Sequence, residues 1–283
     1  MEIRENENLK KYTTVKIGGT ASKFYIPETE EELINLVNEL KDEKYYILGG
    51  GSNILMDDKK VFSHVIHMLK FNNVFEDLGG GRFYVGASLK LQKFITSINE
   101  TGHGGIEYLF SVPGSLGGAV LMNAGRGRKY NKCISDYIVK VDVLKDGKKV
   151  SMDKSECGFS YRNSIFKGSD MIVLGAEFEF PEFDKEFLAE ERKKRMEFSK
   201  TRQDYSGSNF GTVFCKSNPK AMGIVKILHP GYKNGVCFSK KTSNWILNKG
   251  NGNFEQALKV IKKAKRINRL FGTKAELEVI VWD

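Results

Sequence analysis

Four cysteines and four histidines are all that 283 residues offer for sulfur or imidazole chemistry. Cys133, Cys157, Cys215 and Cys237 lie far apart and form no CxxC, and no HxxxH or HExxH occurs. Neither a disulfide framework nor a zinc site is therefore signalled. His64 and His67 stand three apart, but beside Val65, Ile66 and Met68 they read as strand or surface residues rather than a metal pair. No apolar run approaches the roughly 18–20 residues of a membrane span. Met1 to Tyr12 is charged throughout, without the apolar stretch of a signal peptide, so a soluble, cytoplasmic chain with no membrane partner is expected.

What is present is material for a core. Hydrophobic residues make up 40% and aromatic residues 11% of the chain, which excludes global disorder. The 45 basic and 35 acidic residues leave a net charge of +10, a field that favours nucleotides, phosphorylated metabolites or nucleic acid without choosing among them. Part of the charge falls in a late helix, on Lys259, Lys262, Lys263, Lys265, Arg266 and Arg269 against Glu255. A solvated helix face with cations near its C-terminus accounts for that run. No nucleic-acid motif or interleaved aromatic pattern accompanies it, so no nucleic-acid partner is expected.

Apolar periodicity predicts an α+β chain. Thr29 followed by Glu32 makes a capping box for a helix burying Leu33, Ile34, Val37 and Leu40. A short strand, Tyr45–Leu48, runs into Gly49-Gly50-Gly51-Ser52-Asn53. A second helix follows Ser88, buries Leu91, Phe94, Ile95 and Ile98, and stops at Gly102. Strands are predicted at Ile138–Leu144 and Met171–Phe180, with a turn at Asp146-Gly147. Charge crowds Phe183 to Gln203, and the domain boundary is placed there. The last third carries strands, the basic helix with Phe254, Ala257, Leu258, Ile261 and Leu270 on its buried face, and a final strand from Leu277 to Trp282.

The 29 glycines bunch at Gly18-Gly19, Gly49–Gly51, Gly79–Gly81 and Gly114–Gly118. Glycine lets backbone amides approach a diphosphate and turn to positive φ, forming an anion nest. Gly49 to Asn53, directly after a strand, is well placed for this. It is not a Walker loop, since no Lys-Ser/Thr follows, nor a GxGxxG; taken singly, each cluster is equally explained as a tight turn. Gly79 to Gly81, beside Asp77, reads as a hairpin turn.

In their order and spacing, Thr14–Ala21 (TVKIGGTA), Ile47–Asp57 (ILGGGSNILMD) and Ser111–Gly125 (SVPGSLGGAVLMNAG) resemble the MurB family of UDP-N-acetylenolpyruvoylglucosamine reductases. Tyr161-Arg162-Asn163-Ser164 is similar to the family's YRxS, and Leu277-Glu278-Val279 to its C-terminal Glu-Val motif. The resemblance spans about residues 9 to 283. It implies an FAD-binding domain of the vanillyl-alcohol-oxidase (PCMH) type made of two α+β subdomains over 1–182, a helix and connector over 183–206, and an α+β substrate domain over 207–283. It also implies a monomeric peptidoglycan-synthesis enzyme with non-covalent FAD, NADPH as reductant and a UDP-sugar as substrate.

On the same resemblance Gly49, Gly50, Gly51, Ser52 and Asn53 surround the FAD diphosphate, and Pro113, Gly114, Ser115, Gly117, Gly118 and Asn123 line the flavin from the other side. Hydride addition to an enolpyruvyl ether drives negative charge onto the substrate carboxylate, which calls for a cation already in place. Arg162 matches the family arginine for that role, and Glu278 the glutamate that assists it. The family's proton-donating serine corresponds to Thr212 in Gly211-Thr212-Val213-Phe214, which keeps a hydroxyl on a stiffer side chain. Other departures lie on the substrate side. The Asn-Pro after this motif is delayed to Asn218-Pro219, the usual His-Ala-Asn-Phe reads Thr242-Ser243-Asn244-Trp245, and Ala-Tyr-Gly reads Arg126-Gly127-Arg128. They leave open a diverged flavin oxidoreductase acting on another nucleotide-linked or enolpyruvyl substrate, and a non-catalytic flavin-binding module.

Overall fold

The computed structural model describes residues 1–283 apart from the side chains of Arg128 and Lys129, so the departure noted at Arg128 lies outside the described residues. In chain order the elements begin with β1 (Glu2–Asn8), β2 (Thr20–Ile26), α1 (Glu30–Glu39), β3 (Tyr45–Leu48), β4 (Ile54–Met56), β5 (Val61–His67), β6 (Phe75–Gly79), β7 (Arg82–Gly86), α2 (Leu91–Glu100) and α3 (Leu116–Leu121). There follow α4 (Gly127–Tyr130), β8 (Ile138–Lys145), β9 (Lys148–Asp153), β10 (Ile172–Glu179), α5 (Lys185–Arg202), β11 (Ser208–Thr212), β12 (Phe214–Lys216) and α6 (Pro219–Leu228). The chain closes with β13 (Val236–Phe238), β14 (Trp245–Asn248), α7 (Phe254–Leu270), β15 (Glu276–Leu277) and β16 (Ile280–Trp282).

Two compact units result, and neither is continuous in sequence. The first comprises Met1–Arg4, Phe24–Gly50 and His64–Glu197, and the second Glu5–Lys23, Gly51–Ser63 and Phe198–Asp283.

In the first unit, the Thr29 hydroxyl caps α1 by accepting from the Glu32 N–H at 3.2 Å. The Glu32 carboxylate reaches the Glu28 N–H, one residue before the cap, so the capping box is only half formed. β3 runs parallel to the end of β5, with Tyr45 opposite His64 and Leu48 opposite His67. Such a pairing is covered on both faces, and Leu48, Val65 and Ile66 are fully buried. A five-stranded antiparallel sheet in the order β6-β7-β10-β8-β9 forms the rest of this unit's framework. Its turns follow the expected chemistry: Asp146 and Gly147 both take positive φ between β8 and β9, as do Gly79 to Gly81 between β6 and β7. The sheet buries Phe83, Val85, Val141, Val143 and Phe178 against Phe94, Ile95 and Ile98 of α2 and against α3. Glu177, buried in the central strand β10, is paired with Arg82 of β7 and with Lys140 of β8 at 3.1 Å.

In the second unit, β11, β14 and β13 form a three-stranded sheet, β12 pairs with β15, and β4 pairs in parallel with β16. α6 begins at Asn218, whose side chain accepts from the Lys220 and Ala221 N–H groups with Pro219 at the first helical position. α7 buries Phe254, Ala257, Val260, Ile261 and Ala264. Leu270, expected on that face, is 84% exposed: it lies nine residues beyond Ile261, half a turn out of phase at about 100° per residue. The final strand expected from Leu277 to Trp282 is two strands, because the chain turns aside at Glu278-Val279 to bond a different neighbour.

Candidate active site

The first unit holds Gly49, Gly50, Pro113, Gly114, Ser115, Gly117, Gly118, Asn123 and Arg162, and the second holds Gly51, Ser52, Asn53, Thr212 and Glu278. Each unit gathers its own set from distant stretches of sequence.

In the first unit the two glycine-rich loops meet backbone to backbone. A Cβ at Gly50 would stand 2.8 Å from the Gly114 Cα, and one at Gly49 would stand 3.0 Å from the Ser115 Oγ. The second loop is tied in turn to the segment before α2 by antiparallel pairing of Lys90 with Ser115, which sets Leu116 N–H on the Leu89 carbonyl and Gly117 N–H on the Ala87 carbonyl, both at 2.9 Å. The Gly117 amide is therefore committed to the fold. Among the described residues, the Gly50, Gly114 and Ser115 amides donate to no backbone carbonyl. In the second unit Gly51, at φ +61°, leaves only 1.9 Å between an added Cβ and the Tyr12 carbonyl oxygen, and its own carbonyl accepts from the Thr14 N–H at 3.0 Å. Any side chain here would drive the TVKIGG segment off the loop.

Arg162 follows Tyr161 but does not lie on a strand. It stands instead at the tip of a two-residue turn, where Ser160 and Asn163 exchange backbone hydrogen bonds of 3.0 and 3.1 Å. Its φ of +59° is a left-handed conformation uncommon for arginine. The turn is lashed to the segment after α3: Ser164 Oγ donates to the Leu121 carbonyl at 2.8 Å, and Asn123 Nδ2 to the Ser160 carbonyl at 2.9 Å. The guanidinium completes the lashing by donating from Nη2 to the Gly125 carbonyl at 2.6 Å and from Nη1 to the Asn123 carbonyl at 3.5 Å. It also lies over the Tyr161 ring, 5.2 Å from the centroid. The YRxS and Asn-Ala-Gly segments are thus one assembly, and Asn123 joins it by contact with Arg162 and its turn.

In the second unit Thr212 closes β11 opposite Trp245 of β14, just past a bulge containing Gly211 at φ +80°. Thr212 is half-buried, and its hydroxyl makes no hydrogen bond to the described residues. The next carbonyl, of Val213, accepts from the Glu278 N–H at 2.9 Å, and Asn53 Nδ2 donates to the Glu278 carbonyl at 3.1 Å. Lys216 pairs with Glu276 at 3.2 Å, and Lys241 donates to the Lys200 carbonyl at 3.0 Å.

Several contributors were not singled out from sequence. Asn244 bonds both backbone groups of Phe214, accepting from N–H at 3.0 Å and donating to the carbonyl at 2.7 Å, so it fixes the strand immediately after Thr212. Asp204 receives the Ser239 hydroxyl at 2.6 Å; burial acts against its charge, but the Ser206 and Ser239 hydrogen bonds and the nearby Lys249 hold its carboxyl below the usual range. Among the described residues, the buried polar atoms without a partner include Ser111 Oγ in the first unit and Thr14 Oγ1 and Trp245 Nε1 in the second. Each lies on or beside a segment described above. Orphaned buried groups of this kind suit a polar ligand. Within the first unit, Ser111 Oγ and the uncommitted amides of Gly50, Gly114 and Ser115 fit a phosphate-bearing cofactor. Among the described residues no group of three or more His, Cys, Asp and Glu is placed to hold a metal ion.

The architecture and the paired glycine loops define a flavoprotein of the vanillyl-alcohol-oxidase (PCMH) type, and the FAD binding domain family matches residues 21–152. The UDP-N-acetylenolpyruvoylglucosamine reductase of Halalkalibacterium halodurans is 33% identical over 285 residues, covering 98% of this chain and 93% of that protein. That of Fervidobacterium nodosum is 33% identical over 290 residues, covering 98% and 91%. The crystal structure of UDP-N-acetylenolpyruvylglucosamine reductase (MurB) from Thermus caldophilus superposes with a TM-score of 0.80 at 28% identity, over 100% of this chain and 98% of that one. The chain belongs to the UDP-N-acetylenolpyruvoylglucosamine reductase family, FAD- and NADPH-dependent oxidoreductases of peptidoglycan synthesis.

Proposed function

We propose that this chain reduces UDP-N-acetylglucosamine enolpyruvate to UDP-N-acetylmuramate, with Arg162, Thr212 and Glu278 acting on the substrate and the loops around Gly49–Asn53 and Pro113–Gly118 holding FAD. The observation that carries this reading is the junction in the second unit, where Glu278, Asn53 and the backbone following Thr212 are joined by direct hydrogen bonds. The family's glutamate, its flavin-loop asparagine and its proton-donor position converge there.

The chemistry supplied by bound FAD is hydride transfer, from NADPH to the terminal carbon of the enolpyruvyl ether. Arg162 binds the substrate carboxylate and stabilises the charge that accumulates there as the enolate forms. Its turn is held by Asn123 and Ser164, so the guanidinium needs little reorganisation during the reaction. Thr212 delivers a proton from its hydroxyl to the carbon beside the carboxylate, and Glu278 assists the arginine. Uncommitted amides at Gly50, Gly114 and Ser115 take the FAD diphosphate, and Gly51, Ser52 and Asn53 continue the same loop. Residues 207–283 bind the UDP-sugar. In this reading the enzyme works as a monomer in the cytoplasm, without nucleic acid; among the described residues no helix is long and apolar enough to cross a membrane.

The test is an anaerobic titration followed in the visible spectrum. The flavin band bleaches on adding NADPH and returns on adding the enolpyruvyl UDP-sugar. Bleaching without return would reject this substrate, and absence of a flavin band after incubation with FAD would reject the cofactor.

A further inference from the structure

Thr212 ends β11, and the chain just beyond it is held largely by one asparagine. The Thr212-Val213 peptide is anchored through its N–H, which the Asn244 carbonyl accepts at 3.1 Å. The next peptide is held at both edges: the Val213 carbonyl accepts from the Glu278 N–H at 2.9 Å, and the Phe214 N–H donates to Asn244 Oδ1 at 3.0 Å. Asn244 Nδ2 then donates to the Phe214 carbonyl at 2.7 Å. A single side chain thereby stands in for a neighbouring strand where the chain leaves β14 and joins β15.

Asn244 is itself firmly placed. Its φ of +58° is a left-handed conformation that asparagine tolerates better than most residues. The turn before it is closed by the Ser239 N–H on the Trp245 carbonyl at 2.8 Å. Ser239 Oγ accepts from the Lys241 and Thr242 N–H groups at 3.0 and 2.9 Å, and the Thr242 hydroxyl donates to the Arg202 carbonyl at 2.7 Å.

Threonine in place of serine makes this anchorage matter. A β-branched side chain has its χ1 restricted by the surrounding backbone, whereas a serine hydroxyl turns among three staggered rotamers. Peptide units are planar, so fixing the two that follow Thr212 fixes the backbone from which its hydroxyl projects. The hydroxyl direction then follows the backbone.

We propose that Asn244 is a positioning residue for Thr212: its side chain, by holding the strand beyond Thr212, aims a hydroxyl that the threonine cannot redirect alone. This rests on the reading that Thr212 delivers the proton to the substrate.

The test is a double-mutant cycle on the FAD-loaded enzyme. Asn244→Gly removes the side-chain amide, keeps the main-chain carbonyl and tolerates positive φ. It is made in the parent and in Thr212→Ser, and stopped-flow absorbance follows both half-reactions, with melting temperatures alongside. In the parent, Asn244→Gly is expected to leave flavin reduction by NADPH unaltered and to slow reoxidation by the enolpyruvyl UDP-sugar about ten- to a hundredfold. In Thr212→Ser the same change is expected to slow reoxidation by less than about threefold, because the serine rotamer readjusts. Parent-like reoxidation in Asn244→Gly would overturn the proposal, as would equal slowing in both backgrounds. If Asn244→Gly does not fold, Asn244→Asp, which keeps an acceptor for the Phe214 N–H, is compared in the same two backgrounds. The underlying reading fails separately, if Thr212→Ala reoxidises at the parent rate.

Discussion

Asn53 and Glu278, 225 positions apart, are joined by a 3.1 Å hydrogen bond from the asparagine side chain to the glutamate carbonyl. The Asn53 carbonyl in turn accepts from the Ile280 N–H at 3.0 Å, so the asparagine grips the chain on both sides of Val279. Replacing Asn53 by alanine leaves a carbonyl unpaired and loosens the glutamate. We expect Asn53→Ala to lower the free energy of unfolding by about 1–2 kcal/mol, measured by urea denaturation, and to lower kcat more than it raises the KM for NADPH. Unchanged kcat would separate Glu278 from the chemistry.

Arg162→Lys keeps the charge but loses the planar fork that reaches Gly125 and Asn123. Stopped-flow absorbance should show flavin reduction by NADPH unaltered and reoxidation by the enolpyruvyl UDP-sugar slowed about a hundred- to a thousandfold. A matching loss in both half-reactions would place the arginine in cofactor binding instead.

Thr212→Ala should likewise spare reduction by NADPH and slow reoxidation, whereas Thr212→Ser should retain reoxidation at or above the parent rate because it keeps the hydroxyl and sheds the methyl. Parent-like reoxidation in the alanine variant would remove Thr212 from the mechanism.

Acid should weaken the fold through His67. Burial, with Arg4, pushes the imidazole down to about 4 from an ordinary 6.5. Below pH 6.5 the unfolded chain takes up the proton before the folded one does, so stability present above pH 6.5 is lost progressively down to pH 4, by about 3 kcal/mol in all. Urea unfolding across this range should show a steeper fall for the parent than for His67→Gln. Parallel curves would show that the ring titrates normally.

The parts that were legible in the sequence were those with a local signal. Glycine clusters marked loops whose backbones pack too closely for side chains, and the apolar spacing of Leu91, Phe94, Ile95 and Ile98 marked α2, because each reports a backbone need within a few residues. The burial of His67 was not legible, since three apart on a strand His64 and His67 face opposite sides and the sequence does not say which side is covered. Nor were the asparagines that bind distant backbone. Asn248 reaches the Val15 carbonyl at 2.9 Å and accepts from Gly250 and Gly252, a use that only the folded chain reveals. The strand break at Glu278 has the same origin: periodicity continues through Val279, but the hydrogen bonds go to Val213 and Asn53.

The parallel pairing of β4 with β16, Ile54 on Ile280 and Met56 on Trp282, couples two strands separated by most of the sequence. Until β16 docks, the edge of β4 has no strand to accept it, and Asn53 has no Glu278 to hold. Closing so long a loop makes this docking a late, slow step in folding. The five-stranded sheet, whose strands pair largely with nearer neighbours, does not wait for that step, so the Gly51–Asn53 segment is latched after it.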